Sequence, residues 1–136
     1  MKARSHLGPV HALRWTCWLA LCLAGRMALA MPPAARAEVD ALLARLQASG
    51  CEFNRNGSWH AGAEARAHLL KKLDYLERKD LVQTTEQFIA RGASGSSMSG
   101  KPYLVRCAGK APGESAQWLT AELHALRAAR AASSPR

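Results

Sequence analysis

Three residues that could act together in chemistry follow one another at four-residue spacing: Glu64, His68 and Lys72. Residues four apart lie on the same face of an α-helix, so the spacing predicts a row of carboxylate, imidazole and amine. In such a row His68 could act as a general base that Glu64 orients, with Lys72 holding an anionic substrate. The competing interpretation is a half-packed boundary histidine between surface charges. We favour it, because spacing alone does not supply the converging geometry of a catalytic site.

A second candidate is the serine- and glycine-rich segment 92–101. Its residues 95–101 match the G-x-x-x-x-G-K spacing of a phosphate-binding P-loop. That loop requires a strand before it, a helix after it, and a Ser or Thr directly after the lysine. Here a helix is predicted before the segment and a strand after it, and Pro102 follows Lys101. We therefore expect no nucleotide site.

The same loop supports a different hypothesis, a small anion-binding site. Backbone N–H groups and hydroxyls around a cation can hold a carboxylate or a phosphate. Ser97, Ser99, Gly100 and Lys101 offer those groups. The competing interpretation is an ordinary solvated connector, which is common for this composition.

Arg55 lies beside a predicted hairpin turn and has two possible roles. Its guanidinium could bind a carboxylate or phosphate of a ligand with two hydrogen bonds, or it could pair across strands with an acidic residue such as Glu52. Together with His68, Lys72 and the serine loop, Arg55 completes the candidate binding surface.

The N-terminus has the composition of a secretory signal peptide. A segment with three Lys or Arg side chains precedes the uncharged run 15–25, and residues 28–30, Ala-Leu-Ala, form a small-x-small cleavage site. The run is shorter than the roughly 20 residues that a membrane-spanning helix needs. The pattern predicts a signal peptide over 1–30 with cleavage after Ala30, or alternatively after Ala37. We expect no transmembrane segment after its removal.

Loss of this leader would change the charge of the chain. Of the 19 Lys and Arg residues, 15 follow Ala30, against 10 Asp and Glu, so the formal net charge falls well below the +9 of the full sequence. The remaining basic residues are dispersed among acidic ones, as on a solvated helix face. Nucleic-acid binding would need a basic stripe with interleaved aromatic residues. We therefore expect no nucleic-acid partner, and an anionic envelope ligand remains compatible with the charge.

Cysteine and histidine usage favours a disulfide over a metal site. Beyond the leader only Cys51 and Cys107 remain, and an exported chain reaches an oxidising compartment. A bond between them would contribute about 4 kcal/mol in the chain-entropy model. The histidines His60, His68 and His124 lack ligand spacing. We expect one disulfide, no metal and no cofactor.

The hydrophobic pattern predicts an α+β fold with about four helices packed on a small antiparallel sheet. A hairpin is expected near 51–60, where Asn56-Gly57 favours a type I′ turn, and a further strand near 103–107. The predicted helices are 38–49, 63–79, a short one behind the capping box Thr84–Gln87, and a last one capped by Ser115.

The pattern also predicts the domain organisation of the exported chain. We expect a Pro/Ala-rich disordered linker over 31–37, a single α+β domain over 38–130, and a frayed tail over 131–136.

Four blocks of this sequence, in this order, resemble the YfeK-like family of small secreted bacterial proteins. They are residues 53–57 (FNRNG), 64–73 (EARAHLLKKL), 84–89 (TTEQFI) and 96–105 (SSMSGKPYLV). The resemblance covers about residues 38–126. It implies a periplasmic location in a Gram-negative bacterium and brings no assigned activity.

Three functional hypotheses follow. The leading one is a non-enzymatic periplasmic module that binds a protein or an anionic envelope ligand through the surface of Arg55, His68, Lys72 and the serine loop. One variant is an inhibitor that inserts residues 95–101 into the active site of an envelope hydrolase. The alternative is a small hydrolase that uses His68 with a loop serine, and the third is an accessory protein without a defined pocket.

Overall fold

The computed structural model describes residues 30–134, so the predicted signal peptide lies outside the described residues except for Ala30. Over these residues the chain is an α+β domain with four helices and one four-stranded sheet, which confirms the predicted fold class. In chain order the elements are α1 (Pro33–Ala48), β1 (Glu52–Arg55), β2 (Ser58–Ala61), α2 (Gly62–Arg78), α3 (Thr85–Phe88), β3 (Leu104–Arg106), β4 (Gly113–Glu114) and α4 (Ser115–Ser133), with a single π-helical turn (Ile89–Ala93) directly after α3.

The sheet is antiparallel throughout, in the order β2-β1-β3-β4. Phe53 lies opposite His60 on one side and opposite Val105 on the other. The β1–β2 turn has φ of 52° at Asn56 and 89° at Gly57. Both positive values are those that a type I′ turn needs, so the predicted hairpin is confirmed.

The hydrophobic core lies between the helices and one face of the sheet, which we call the inner face. Helix α1 buries its leucine stripe completely, and α2 and α4 bury theirs against it. Phe53 of the inner face meets Trp118 of α4 edge to face, with 5.5 Å between the ring centroids. The buried apolar residues of α1, α2 and α4 recur at the three- and four-residue spacing of an amphipathic helix.

The predicted disulfide joins Cys51 to Cys107. Cys51 directly precedes β1 and Cys107 directly follows β3, and the two strands pair with Glu52 opposite Arg106. The bond therefore fastens the two central strands at one end of the sheet.

The predicted disordered linker over 31–37 is wrong for most of its length. Helix α1 already begins at Pro33, and Met31 is 7% exposed within the core. Proline fits the first helical turn because its missing N–H has no intrahelical partner there. Arg36 adds an ion pair to Glu77 of α2 at 2.6 Å, which ties this first turn to the domain.

Three further features differ from the prediction in the C-terminal part of the chain. Helix α4 continues to Ser133, beyond the predicted domain end at residue 130, and the last two residues of the predicted tail lie outside the described range. Gly113 and Glu114, where a turn was expected, pair with β3 as strand β4. Ser115 is the first helical residue rather than the cap, which is Glu114.

The capping box of α3 closes differently from the prediction. The Thr84 hydroxyl accepts the Gln87 N–H at 3.1 Å, as expected. The Gln87 side chain accepts the N–H of Gln83 at 2.8 Å, one residue before the predicted partner. Two backbone N–H groups at the start of the helix, those of Gln83 and Gln87, therefore still have side-chain acceptors.

An ion-pair cluster links the far end of α4 to α1 and α3. Arg127 contacts Glu38 at 2.7 Å and Glu86 at 2.6 Å, and Thr85 donates its hydroxyl to Glu38 at 2.6 Å. The hydrogen bonds and charge of Arg127 lower the pKa of Glu38 to about 2.

None of the helices in residues 30–134 has the length and apolar character to cross a lipid bilayer.

Candidate functional site

A cleft of about 260 Å³ lies between the inner face of the sheet and helix α2. Its apolar lining is formed by Phe53, Ala65, Ala67 and Leu69. Its polar lining is formed by Asn54, Arg55, His60, Glu64, His68, Lys71, Tyr103 and Ser115. The cleft thus combines an apolar floor with several basic groups, the composition of a small-molecule site.

At one side of the cleft, Tyr103 joins two residues of the predicted α2 row. The Tyr103 hydroxyl lies 3.1 Å from Nε2 of His68 and 3.4 Å from Nζ of Lys72. Lys72 also donates to the carbonyl of Gly95 at 2.9 Å and lies 5.0 Å from the centre of the Tyr103 ring. All three groups are satisfied when Tyr103 accepts from Lys72 and donates its proton to His68.

The protonation of this cluster follows from its burial and from the surrounding cations. Burial, together with the charges of Arg55 and Lys72, lowers the pKa of His68 to about 4. Burial also raises the pKa of Tyr103 and lowers that of Lys72. At neutral pH His68 is therefore an uncharged imidazole and Tyr103 an intact phenol, which agrees with the direction of their hydrogen bond.

We predict that His68 titrates near pH 4 in a pH series of its ring resonances, rather than near its ordinary value of 6.5. Because the folded pKa lies below the unfolded one, the contribution of His68 to stability is lost as the pH falls from about 6.5 to about 4. Arg55→Gln removes one of the cations and raises the pKa of His68 without restoring it fully, since burial remains. A wild-type value at or above 6.5 would contradict this account of the cleft.

Arg55 differs from the arginines of the ion pairs. Within residues 30–134, five arginines pair with carboxylates, namely Arg36, Arg45, Arg106, Arg127 and Arg130. Arg55 is half-buried on the inner face, and no carboxylate of residues 30–134 lies within ion-pair distance of it. Glu52, the cross-strand partner considered for it, binds Arg106 at 2.8 Å instead. The Arg55 charge is thus available to a ligand.

Glu64 does not take the role that helical spacing suggested. Its carboxylate lies 3.5 Å from Nδ1 of His60, in strand β2, while the partner of His68 is Tyr103. Of the predicted row, His68 and Lys72 therefore contact the same residue, Tyr103, and Glu64 contacts His60 instead.

The serine loop lies beside the cleft and does not line it. Ser99 donates its hydroxyl to the side chain of Asn56 at 2.8 Å, so the loop rests on the β1–β2 turn. The Ser96 hydroxyl accepts from the N–H groups of Met98 and Ser99, and the Ser96 carbonyl accepts from Gly100. The amides of Met98, Ser99 and Gly100, which an anion nest would use, are thus engaged within the loop.

The remaining loop residues of the predicted surface, Ser97, Gly100 and Lys101, are exposed. The carbonyl of Lys101 accepts from the N–H of Ser96 at 2.9 Å. Strand β3 follows the loop and a π-helical turn precedes it, which is opposite to the order that a P-loop requires.

Five polar residues of the cleft were not among the predicted site residues: Asn54, His60, Lys71, Tyr103 and Ser115. The alternation of Tyr103 with Val105 could have placed the tyrosine on the inner face. Ser115 had no comparable signal, because its position depends on strand β4, which was not predicted. Within residues 30–134 the structure holds no cluster of three or more His, Cys, Asp or Glu side chains arranged for a metal ion.

Comparison with known proteins gives a family of unknown function. The model of the "Family of unknown function (DUF5329)" matches residues 33–127. The chain is 43% identical over 68 residues to "Uncharacterized protein YfeK" of Salmonella typhimurium strain LT2. That match covers 49% of this chain and 55% of the relative, so the chain spans about half the length of the curated relative. No solved structure matches the chain. Because the family match extends over most of the chain, this protein belongs to the DUF5329 family, and its YfeK-like resemblance is confirmed.

Proposed function

We propose that this protein is a non-enzymatic binding module of the bacterial periplasm whose cleft takes up an anionic group of an envelope ligand. The observation that carries the proposal is the half-buried Arg55, which lines the cleft without a carboxylate partner among residues 30–134. A partly desolvated charge is costly unless an opposite charge compensates it. An anionic ligand would supply that charge.

The other groups around Arg55 also support a negatively charged ligand. Lys71 and Lys72 add positive charge near His68, and His60 and His68 can donate ring N–H groups. Among the residues that the structure describes, Glu64 is the one carboxylate residue of the cleft lining, and it lies against His60. The field inside the cleft therefore favours an anion.

The hydrolase hypothesis has less support. A histidine with a pKa of about 4 is a weak general base at neutral pH. Its Nε2 is engaged by the Tyr103 hydroxyl, and neither Ser97 nor Ser99 lines the cleft. Activation of a loop serine by His68 would require the loop and the cleft to rearrange.

Export to the periplasm is part of the proposal, and two observations support it. The N-terminal sequence has the three parts of a signal peptide, and the domain contains a disulfide, a bond that persists in oxidising compartments. Intact mass of the protein from a periplasmic fraction should show loss of residues 1–30 and of two hydrogens. Recovery of the full-length, reduced chain in the cytosol would reject the proposed location.

The binding proposal is tested by titrating isotope-labelled protein, residues 31–136, with sodium phosphate and sodium acetate at constant ionic strength. We expect saturable shifts of the amide resonances of Phe53–Arg55, His68 and Ser115. Arg55→Gln should weaken binding roughly tenfold, in line with the loss of a charge-assisted hydrogen bond. Lys101→Ala is the matched control, because it removes an exposed cation outside the cleft and should leave the affinity unchanged. Equal binding by Arg55→Gln and wild type, or no saturable shift, would reject the proposal.

A further inference from the structure

Three residues form a row across the inner face of the sheet at the mouth of the cleft. Asn54 pairs with Leu104 in antiparallel register, which places Arg55 beside Tyr103. The carbonyl of Tyr103 accepts the N–H of Ser115 at 2.9 Å. Side chains alternate along strands, so Arg55, Tyr103 and Ser115 share the face that carries Phe53 and Val105.

The Ser115 end of this row is also the start of helix α4. This 19-residue helix has no side-chain cap at its N-terminus, and Ser115 is its first residue. Ser115 is 2% exposed and lines the cleft, yet its hydroxyl makes no hydrogen bond within residues 30–134. Among residues 30–134, Nε of Arg66 is the one fully buried side-chain polar atom without a partner, so the Ser115 hydroxyl retains access to the cleft. An anion at the helix start would accept a hydrogen bond from the Ser115 hydroxyl and interact with the positive end of the helix.

The floor of the cleft selects among anions. Phe53, Ala65 and Leu69 line it with hydrocarbon, and a strongly hydrated anion such as phosphate would leave that surface in contact with water. At about 30 Å³ for each water-sized group, the volume of about 260 Å³ holds roughly nine non-hydrogen atoms. A ligand that fills it carries one charged group and a short apolar group.

Resting on the proposed function, we infer that the ligand presents a compact hydrophobic carboxylate. Its carboxylate lies between the Arg55 guanidinium and the start of α4 at Ser115, and its apolar group packs against Phe53 and Leu69. A planar carboxylate suits both donors, because arginine binds it in a bidentate manner. This chemistry is found in short-chain carboxylic acids and in the C-terminal residue of a peptide that ends in an aliphatic side chain.

The test compares sodium hexanoate with sodium acetate, sodium phosphate and hexan-1-ol, by the same amide titration of residues 31–136. Hexanoate should bind roughly tenfold more tightly than acetate or phosphate, because only hexanoate covers the apolar floor. It should also bind roughly tenfold more tightly than hexan-1-ol, which lacks the charge. N-acetyl-leucine against its C-terminal amide tests the peptide source. A preference for the free acid, together with tighter binding than hexanoate, assigns the site to peptide C-termini.

Ser115→Ala provides the matched variant, since it removes one hydroxyl from the carboxylate end and leaves the apolar floor intact. It should weaken hexanoate binding by roughly three- to tenfold, while Ser97→Ala on the exposed loop should not change it. Equal affinity for acetate and hexanoate, or tighter binding of phosphate, would overturn this inference and leave the proposed function standing. If none of the anions binds, the proposed function itself fails.

Discussion

The double variant Cys51→Ala/Cys107→Ala is expected to lose about 4 kcal/mol of unfolding free energy relative to the oxidised wild type. The two residues are 56 positions apart, so the disulfide closes a long loop and restricts the unfolded chain strongly. Domains of this size have total stabilities of about 5–15 kcal/mol. The loss would therefore take a large share of the total, and urea unfolding monitored by tryptophan fluorescence should show it as a lower midpoint.

The reductant response provides the control for this prediction. Dithiothreitol should bring the wild type close to the double variant and should leave the double variant itself unchanged. A loss below about 1 kcal/mol would mean that native-state strain cancels the chain-entropy gain, and it would contradict a stabilising role for the disulfide.

A variant that begins at Glu38 instead of Met31 is expected to be less stable by about 3 kcal/mol. Burial of a methionine side chain contributes about 1.5–3 kcal/mol, and Met31 is 7% exposed in the core. The truncation also removes the first turn of α1 and the ion pair of Arg36 with Glu77, which adds up to about 1 kcal/mol. Urea unfolding of residues 31–136 and 38–136 measures the difference.

Two single substitutions separate the parts of this effect. Met31→Ala should account for most of the loss and Arg36→Ala for a minor part, because Arg36 is partly exposed. Equal stability of the two lengths would show that residues 31–37 add nothing to the fold. The expected difference in stability also bears on the predicted cleavage site. Cleavage after Ala37 would remove a stabilising segment, whereas cleavage after Ala30 would keep it.

Local sequence patterns were sufficient to predict most of the helices and strands. Periodic leucines predicted α1, α2 and α4, and Asn56-Gly57 predicted the hairpin, because these signals depend on neighbouring residues alone. The early start of α1 was missed, because Met31 and Arg36 are held by contacts with residues distant in sequence. Strand β4 was missed for the same reason, as two residues form a strand only where β3 offers them a partner.

The site was less accessible to sequence reasoning than the fold. Arg55, His68 and Lys72 were identified by residue type and spacing, and the structure brings them near Tyr103. Helical spacing could not show that Glu64 turns to His60, or that Ser115 reaches the cleft from the start of α4. These contacts depend on how the sheet packs against α2, and no single segment encodes that packing.

The central claim, that an anion binds beside Arg55 in the cleft, is tested most directly by the pKa of His68 in the presence of a permanently ionised anion. Sodium methanesulfonate stays ionised over the whole pH range, with sodium chloride at equal ionic strength as the control. An opposite charge within about 4–6 Å favours the charged form of a titrating group. We expect methanesulfonate to raise the pKa of His68 above its value of about 4, and Arg55→Gln to reduce that rise. An unchanged His68 pKa at saturating methanesulfonate would contradict the claim.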